Sequence, residues 1–186
     1  MKKKFCFFIT GFLFFSISVN SQNSENEWSV SLGAGLAIYS EADGRIVNGR
    51  YISQLPRVTL AKYMSKNITL VGGVSVGFKD EVQSYTTIDG AVRFSFGTSE
   101  NKFSPYAILG GSFIKANGDI VPTLNFGGGA TYWITDRFGI QGQLTYKLNG
   151  GSSRTQRSHI FGSGGIVYRF SMSLGAGGPG RNRVWD

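Results

Sequence analysis

The sequence predicts an all-β fold: an eight-stranded antiparallel transmembrane β-barrel. Apolar residues alternate with polar or small ones along most of the chain, which is the period of a β-strand with two different faces. About eight such segments occur, most of them near the ~9–11 residues that a tilted membrane strand requires. The connections between them differ in length in the way expected when one end of a barrel carries turns and the other carries loops.

Residues 1–21 are predicted to be a secretory signal peptide. Lysines at 2–4 precede an apolar run over 5–19, and small residues follow, so the predicted cleavage lies between Ser21 and Gln22. The alternative is an uncleaved membrane anchor. The apolar run is short for the ~20 residues that a spanning helix needs, which favours cleavage.

The charge of the chain argues against a nucleic-acid partner. The net charge is +8, and removal of the three lysines at 2–4 leaves +5. These charges are dispersed, and an exported chain meets little nucleic acid. Anionic lipid headgroups are the more natural counterpart, so outer-membrane lipids are an expected partner. The only cysteine, Cys6, lies in the predicted signal peptide, so no disulfide is expected in the mature protein.

The first four predicted strands cover 28–38, 56–63, 68–78 and 86–96. Each of them has one apolar face. In the first strand that face consists of Trp28, Val30, Leu32, Ala34, Leu36 and Ile38, opposite serines and glycines. In the fourth it consists of Ile88, Val92, Phe94 and Phe96.

The last four predicted strands cover 105–114, 123–133, 138–148 and 159–170. The fifth strand is apolar on both faces, so its register stays open. The seventh strand alternates most clearly, with Phe138, Ile140, Leu144, Tyr146 and Leu148 opposite glutamines, threonine and lysine. Together the eight strands place the barrel within residues 22–170.

The predicted connections sort by length. Those after strands two, four and six are tight, at 64–67, 97–102 and 134–137, whereas those after strands one and seven, at 39–55 and 149–158, are long and polar. The connections after strands three and five are intermediate. Loops sorted in this way favour a membrane barrel over a β-sandwich.

The composition of the two faces supports the same interpretation. Glycines fall on the polar face, where they would relieve crowding in a narrow interior; they are Gly33, Gly35, Gly73, Gly127 and Gly129. Aromatic residues fall on the apolar face near strand ends, as in interfacial girdles; they are Trp28, Phe78, Phe96, Tyr132, Phe138, Tyr146, Tyr168 and Phe170.

The final strand carries a recognisable pattern, Ser163-x-Gly165-x-x-Tyr168-x-Phe170. It resembles the terminal-strand signal that the outer-membrane barrel assembly machinery reads. An exposed edge strand is a template for pairing, and outward aromatic side chains would offer contacts for recognition. The alternative is an ordinary strand that contains a glycine.

More broadly, the chain resembles the N-terminal barrel of OmpA-like outer-membrane proteins from Bacteroidota. The resemblance rests on loose motifs: NEWSVSLGAG, LPRVTLAKYMSKNITL, SPYAILGGSF, ATYWITDRFGIQGQLTYK and HIFGSGGIVYRF. It implies an outer-membrane barrel of a Gram-negative bacterium with both termini in the periplasm. Many relatives continue into a peptidoglycan-binding domain, whereas residues 171–186 are expected to form only a short periplasmic tail, which removes the usual grounds for assigning cell-wall anchoring.

Charged residues on the inward faces form the candidate site, a polar network in the lumen; they are Arg57, Asp89, Arg93, Lys147, His159 and Arg169. One interpretation is a salt-bridged plug, because buried charges need partners. The other is a path for ions, which would prefer anions because positive charge is in excess.

The sequence favours a structural or surface-interaction role, with the 39–55 and 149–158 loops as contact surfaces. A small pore is the second hypothesis, and a lipid-modifying enzyme at Ser158 and His159 is the third. Adjacent strand residues point to opposite faces, and a nucleophile needs its base within hydrogen-bond reach, so no catalytic residue is expected. No metal site or cofactor is expected either, since one histidine and no mature cysteine do not form a usual ligand set.

Overall fold

The structure of the chain is a computed structural model, which describes residues 26–47, 49–65, 67–78, 85–96, 102–116, 119–150 and 156–172. The predicted signal peptide, the cleavage pair Ser21 and Gln22, and the tail beyond residue 172 lie outside these residues. They therefore remain predictions.

The described chain forms eight antiparallel strands and one short helix. The elements are β1 (Trp28–Ile38), α1 (Glu41–Ile46), β2 (Tyr51–Ser65), β3 (Ile68–Phe78), β4 (Tyr85–Ser95), β5 (Phe103–Ala116), β6 (Asp119–Trp133), β7 (Phe138–Leu148) and β8 (His159–Phe170). Each strand pairs with its neighbours in sequence, and β8 returns to pair with β1, which closes the barrel. The predicted fold class is confirmed. No helix in the described residues is long and apolar enough to span a membrane.

The exterior of the barrel is apolar. Outward side chains at mid-strand are widely exposed, among them Leu32 at 60%, Leu109 at 60% and Ile166 at 62%. The buried side chains of the interior include Gln54, Arg57, Ser75 and Lys147. A soluble protein rarely exposes so continuous an apolar surface, and this inside-out distribution is that of a barrel surrounded by lipid.

Aromatic side chains ring one end of the barrel. We call this the turn end; it is the end at which β1 begins and β8 ends. The outward aromatic residues there are Trp28, Phe94, Phe96, Phe103, Tyr132, Phe138, Tyr168 and Phe170. Tyr146 lies toward the opposite end, which we call the loop end, and the side chain of Phe78 lies outside the described part. Such a ring is the arrangement expected at a membrane interface.

Strand β2 begins at Tyr51, so the prediction of a loop over 39–55 was too long. Part of that segment is also helical, since α1 covers Glu41–Ile46. The reason is a register shift between Gln54 and Arg57, where β2 holds one more residue than its partner β1. Such a bulge interrupts the alternation of inward and outward side chains, which hid the first part of the strand in the sequence.

The predicted intermediate connection after strand five was also wrong. β5 and β6 continue as a paired hairpin to Ala116 and Asp119, with two residues between them. The loop end therefore carries two long connections, between β1 and β2 and between β7 and β8. The open register of the fifth strand is settled by burial, because Tyr106, Ile108 and Ile114 face inward while Leu109 and Phe113 face outward.

Candidate functional site in the barrel interior

A charged cluster lies across the middle of the lumen. Asp89 on β4 accepts hydrogen bonds from Arg57 Nη1 on β2 at 2.6 Å and from Lys147 Nζ on β7 at 2.7 Å. All three side chains are about nine-tenths buried. One carboxylate therefore holds two cations, and each carboxylate oxygen has one partner. Buried charges are stable only when they are paired in this way.

The two cations share an aromatic platform. The guanidinium of Arg57 lies 5.0 Å and the ammonium of Lys147 lies 4.7 Å from the centre of the Phe161 ring. Phe161 is fully buried, and its ring packs against Gly35, where an added Cβ would lie 2.3 Å from Cζ of Phe161. Gly35 is therefore required by close packing, and cation–π contacts of this kind stabilise a desolvated charge.

Hydroxyl and amide groups continue the cluster toward β5 and β6. Lys147 Nζ donates to Ser112 Oγ at 3.2 Å, and Asn125 Nδ2 donates to the same oxygen at 2.8 Å. Thr123 Oγ1 lies 2.7 Å from Ser112 Oγ. These contacts satisfy polar groups that would otherwise be costly to bury.

The loop end of the lumen is closed by a cap. Its apolar part is a buried cluster that consists of Ala37, Tyr39, Val47, Ile52, Tyr85, Ile114 and Phe161. Val47 follows α1, so the helix contributes directly to the closure. In its polar part, Tyr39 Oη donates to Gln156 Oε1 at 2.9 Å. Burial raises the pKa of Tyr39 to about 12, which keeps this donor protonated at neutral pH.

His159 belongs to the cap. Its ring lies 4.6 Å from the ring of Tyr39, and Nδ1 lies 2.9 Å from the carbonyl oxygen of Arg157. Ser158 Oγ instead accepts from the backbone N–H of Asn149 at 3.0 Å. The two residues thus have separate partners, and the described residues contain no nucleophile and base in hydrogen-bond contact at this position.

The other two predicted network residues lie nearer the turn end. The Arg93 guanidinium lies 4.1 Å from the centre of the Tyr106 ring, and the Arg169 guanidinium lies 4.4 Å from that of Trp133. Arg169 Nε also donates to the carbonyl oxygen of Asp136. The structure therefore brings Arg57, Asp89 and Lys147 together and places Arg93 and Arg169 nearer the turn end. His159 pairs with Lys147 in the register of β7 and β8 but belongs to the cap.

Two small cavities lie within the lumen. One, of about 40 Å³, adjoins the charged cluster, and the other, of about 50 Å³, lies toward the turn end. Arg93 and Gln141 line both of them. Each cavity is large enough for a few water molecules, so the described lumen is mostly filled by side chains.

The predicted assembly signal lies at the seam between β8 and β1. Ser163 and Gly165 face the lumen, whereas Tyr168 and Phe170 belong to the aromatic ring outside. Gly165 pairs with Gly33, and an added Cβ on Gly165 would lie 2.5 Å from the carbonyl oxygen of Leu32. Glycine is therefore required here by the close approach of the two strands, whether or not the pattern is also a signal.

Sequence reasoning missed several residues that build the interior, above all Phe161, Ser112 and Tyr106. Phe161 could have been found, because it lies two residues after the predicted inward residue His159 and therefore on the same face of β8. Metal ligation gains no support, since no group of three or more His, Cys, Asp or Glu side chains in the described ranges is placed to hold an ion.

Comparison with known structures agrees with the fold. The chain is similar to the N-terminal β-barrel domain of Pseudomonas aeruginosa OprF (TM-score 0.57, 14% identity, 81% of this chain and 100% of that one). It is also similar to Neisserial surface protein A, NspA (TM-score 0.60, 17% identity, 77% of this chain and 97% of that one). A third similar structure is Ail, the attachment invasion locus protein of Yersinia pestis, in complex with the heparin analogue sucrose octasulfate (TM-score 0.52, 17% identity, 78% of this chain and 99% of that one). No protein-family model and no curated protein sequence matches the chain.

Proposed function

We propose that the protein is an OmpA-like barrel of the outer membrane of a Gram-negative bacterium of the Bacteroidota, with a structural or surface-interaction role. The observation that carries the proposal is the filled lumen: a three-residue ion cluster at its centre and an apolar cap at the loop end. A barrel built in this way acts as a rigid support for the surface that it presents, rather than as a conduit.

The loop end is the proposed outer surface, and both termini are proposed to lie in the periplasm. Helix α1 is held by Ser40, whose Oγ accepts from the backbone N–H of Asp43 at 3.1 Å, so part of this surface is ordered. The similar structures support the outer-membrane assignment, since they include the surface protein NspA. Membrane lipids and the barrel assembly machinery are the proposed partners.

Two exposed glutamates at opposite ends of the barrel test the proposal. Glu41 lies in α1 at the loop end, and Glu27 lies just before β1 at the turn end. In intact cells, a membrane-impermeant maleimide is expected to label Glu41→Cys but not Glu27→Cys, with the unsubstituted chain as the control for Cys6. The opposite labelling would overturn the orientation.

Membrane fractionation tests the location itself. The protein should fractionate with outer membranes and should change its gel mobility when boiled in detergent, as folded barrels do. A soluble, heat-insensitive protein would overturn the proposal.

A small pore is the second candidate, and the two lumen cavities on either side of Arg93 favour it, because they form an interrupted polar path. Recordings in planar bilayers separate the two functions. Persistent absence of conductance is expected for the structural role, and reproducible anion-selective conductance would establish the pore.

A further inference from the structure

Arg93 is the buried cation of the lumen that the charged cluster does not neutralise. Its side chain is 8% exposed, and its Nε has no hydrogen-bond partner in the described part of the chain. The described residues also place no carboxylate within ion-pair distance of it. Both oxygens of Asp89 are already engaged by Arg57 and Lys147. Three buried cations thus share one carboxylate, which leaves a surplus of two positive charges.

A buried charge without a counter-charge is costly. The ring of Tyr106 offsets part of this cost, because the guanidinium lies 4.1 Å from the ring centre. A neutral aromatic ring supplies no counter-charge, so an anion beside Arg93 would lower the electrostatic free energy of the lumen.

Space for such an anion exists on both sides of Arg93. The cavities of about 40 and 50 Å³ are both lined by Arg93 and by Gln141. The first is also lined by the ion-paired Asp89, and the second by Ser95, Ser104, Arg169 and Glu27, so the second contains one further charge of each sign besides Arg93. Amide and hydroxyl groups can donate hydrogen bonds to an anion. Cavities of this size hold a particle close to the size of water.

We propose that the lumen binds one small monovalent inorganic anion, of halide size, at the guanidinium of Arg93. The anion fills one of the two adjoining cavities and takes its further hydrogen bonds from polar side chains of the lining. The site belongs to the lumen, so it does not depend on which membrane holds the barrel or on what the loop end contacts.

Sodium bromide is the probe, used with the full barrel purified from membranes in detergent. Crystals soaked in bromide are expected to show an anomalous difference peak beside the Arg93 guanidinium. In solution, the melting temperature should rise with bromide concentration relative to sodium gluconate at equal ionic strength, because a ligand that binds only the folded state stabilises it. Gluconate is the reference anion because it is much larger than bromide.

Arg93→Gln should lose both the peak and the bromide-dependent rise in melting temperature. Arg50→Gln is the matched control, since the Arg50 guanidinium also lies over an aromatic ring, 5.7 Å from the centre of Tyr51, but lines neither cavity, and it should keep both. Absence of the peak in the unsubstituted protein overturns the proposal, as does a rise that persists in Arg93→Gln. A peak without any rise in solution indicates an adventitious ion only and also overturns it. The crystal peak and the bromide-dependent rise of the unsubstituted protein together decide the question even if Arg93→Gln does not fold.

Discussion

The ammonium of Lys147 lies 2.7 Å from Oδ1 of Asp89, although the two residues are 58 positions apart in the chain. The residues lie on β7 and β4, three strands apart in an eight-stranded ring, so their contact crosses the lumen. Arg57 on β2 adds a second bridge to the same carboxylate. The cluster therefore ties three separate strands together, in addition to the hydrogen bonds between neighbouring strands.

Replacing Asp89 by asparagine is expected to destabilise the barrel strongly. The change leaves Arg57 and Lys147 buried without a counter-charge, and removal of one partner from a buried ion pair typically costs about 3–5 kcal/mol. Urea unfolding of the refolded protein, followed by tryptophan fluorescence, measures the change in unfolding free energy.

Glu41→Gln is the matched control for this prediction. Glu41 pairs with Arg45 in α1, but both side chains are more than two-thirds exposed, and exposed pairs contribute about 0–1 kcal/mol. Equal effects of the two substitutions would show that the lumen cluster does not stabilise the fold.

Much of this fold could be predicted from sequence because strands with one apolar face are periodic. β1, β3, β7 and β8 have the predicted bounds. The start of β2 could not be predicted, because the extra residue near Pro56 shifts the phase of the alternation. A prediction that assumes unbroken alternation of inward and outward side chains along a whole strand fails wherever such an extra residue occurs.

The inward faces of the candidate residues were predictable, but their groupings were not. The alternation along a strand decides whether a side chain enters the lumen, and the side chains of Arg57, Asp89 and Lys147 lie buried inside it. The depth of each side chain depends on strand tilt and stagger, which no local pattern encodes. Arg93 and Arg169 therefore enter the same lumen at other depths and stack on Tyr106 and Trp133.

Gly35→Ala is expected to destabilise the barrel, because the new methyl group would lie 2.3 Å from Cζ of the fully buried Phe161. Phe161 cannot move freely, since Arg57 and Lys147 both lie over its ring. Overpacking of this kind costs about 1–3 kcal/mol, which unfolding in urea would measure.

Gly72→Ala provides the comparison for Gly35→Ala. Gly72 lies on the outward face of β3, and an added Cβ there meets no atom within 4 Å. Its effect should stay within about 0.5 kcal/mol. If Gly35→Ala is equally mild, the packing of Phe161 against Gly35 is not a constraint on the fold.

The cap at the loop end should weaken at high pH, and Tyr39 should account for part of the loss. Its pKa is about 12 in the folded protein, against an ordinary value of 10.0 for a tyrosine exposed to water. Above pH 10 the unfolded chain therefore loses the proton that the folded protein retains, so the free energy of unfolding falls as pH rises toward 12. Between pH 9 and 11 this one group accounts for roughly 1 kcal/mol.

Tyr39→Phe removes the titrating group and isolates this effect. The variant is expected to be less stable at pH 7, because Gln156 loses one hydrogen-bond donor. Its stability should nevertheless fall by roughly 1 kcal/mol less than that of the unsubstituted protein between pH 9 and 11. Parallel pH profiles from urea unfolding would contradict a buried, protonated Tyr39.

The terminal-strand pattern can be separated into a structural part and a recognition part. Gly165→Ala should impair folding both in cells and in detergent, because the new Cβ would lie 2.5 Å from the carbonyl oxygen of Leu32 at the closing seam. Tyr168→Ala and Phe170→Ala remove outward side chains without such a clash. They should lower the amount of barrel assembled in cells several-fold while refolding in detergent proceeds as in the unsubstituted protein.

Phe138→Ala is the control for recognition at the terminal strand. Phe138 belongs to the same aromatic ring, and its side chain lies 4.7 Å from that of Tyr168 between ring centres, but it stands outside the terminal pattern. If the pattern is read by the assembly machinery, Phe138→Ala should assemble in cells at close to the unsubstituted level. The measurement is the heat-modifiable fraction of each variant in outer membranes. An equal loss for Phe138→Ala and Tyr168→Ala would mean that the pattern is not a signal and that the ring of aromatic side chains matters only for its position in the membrane.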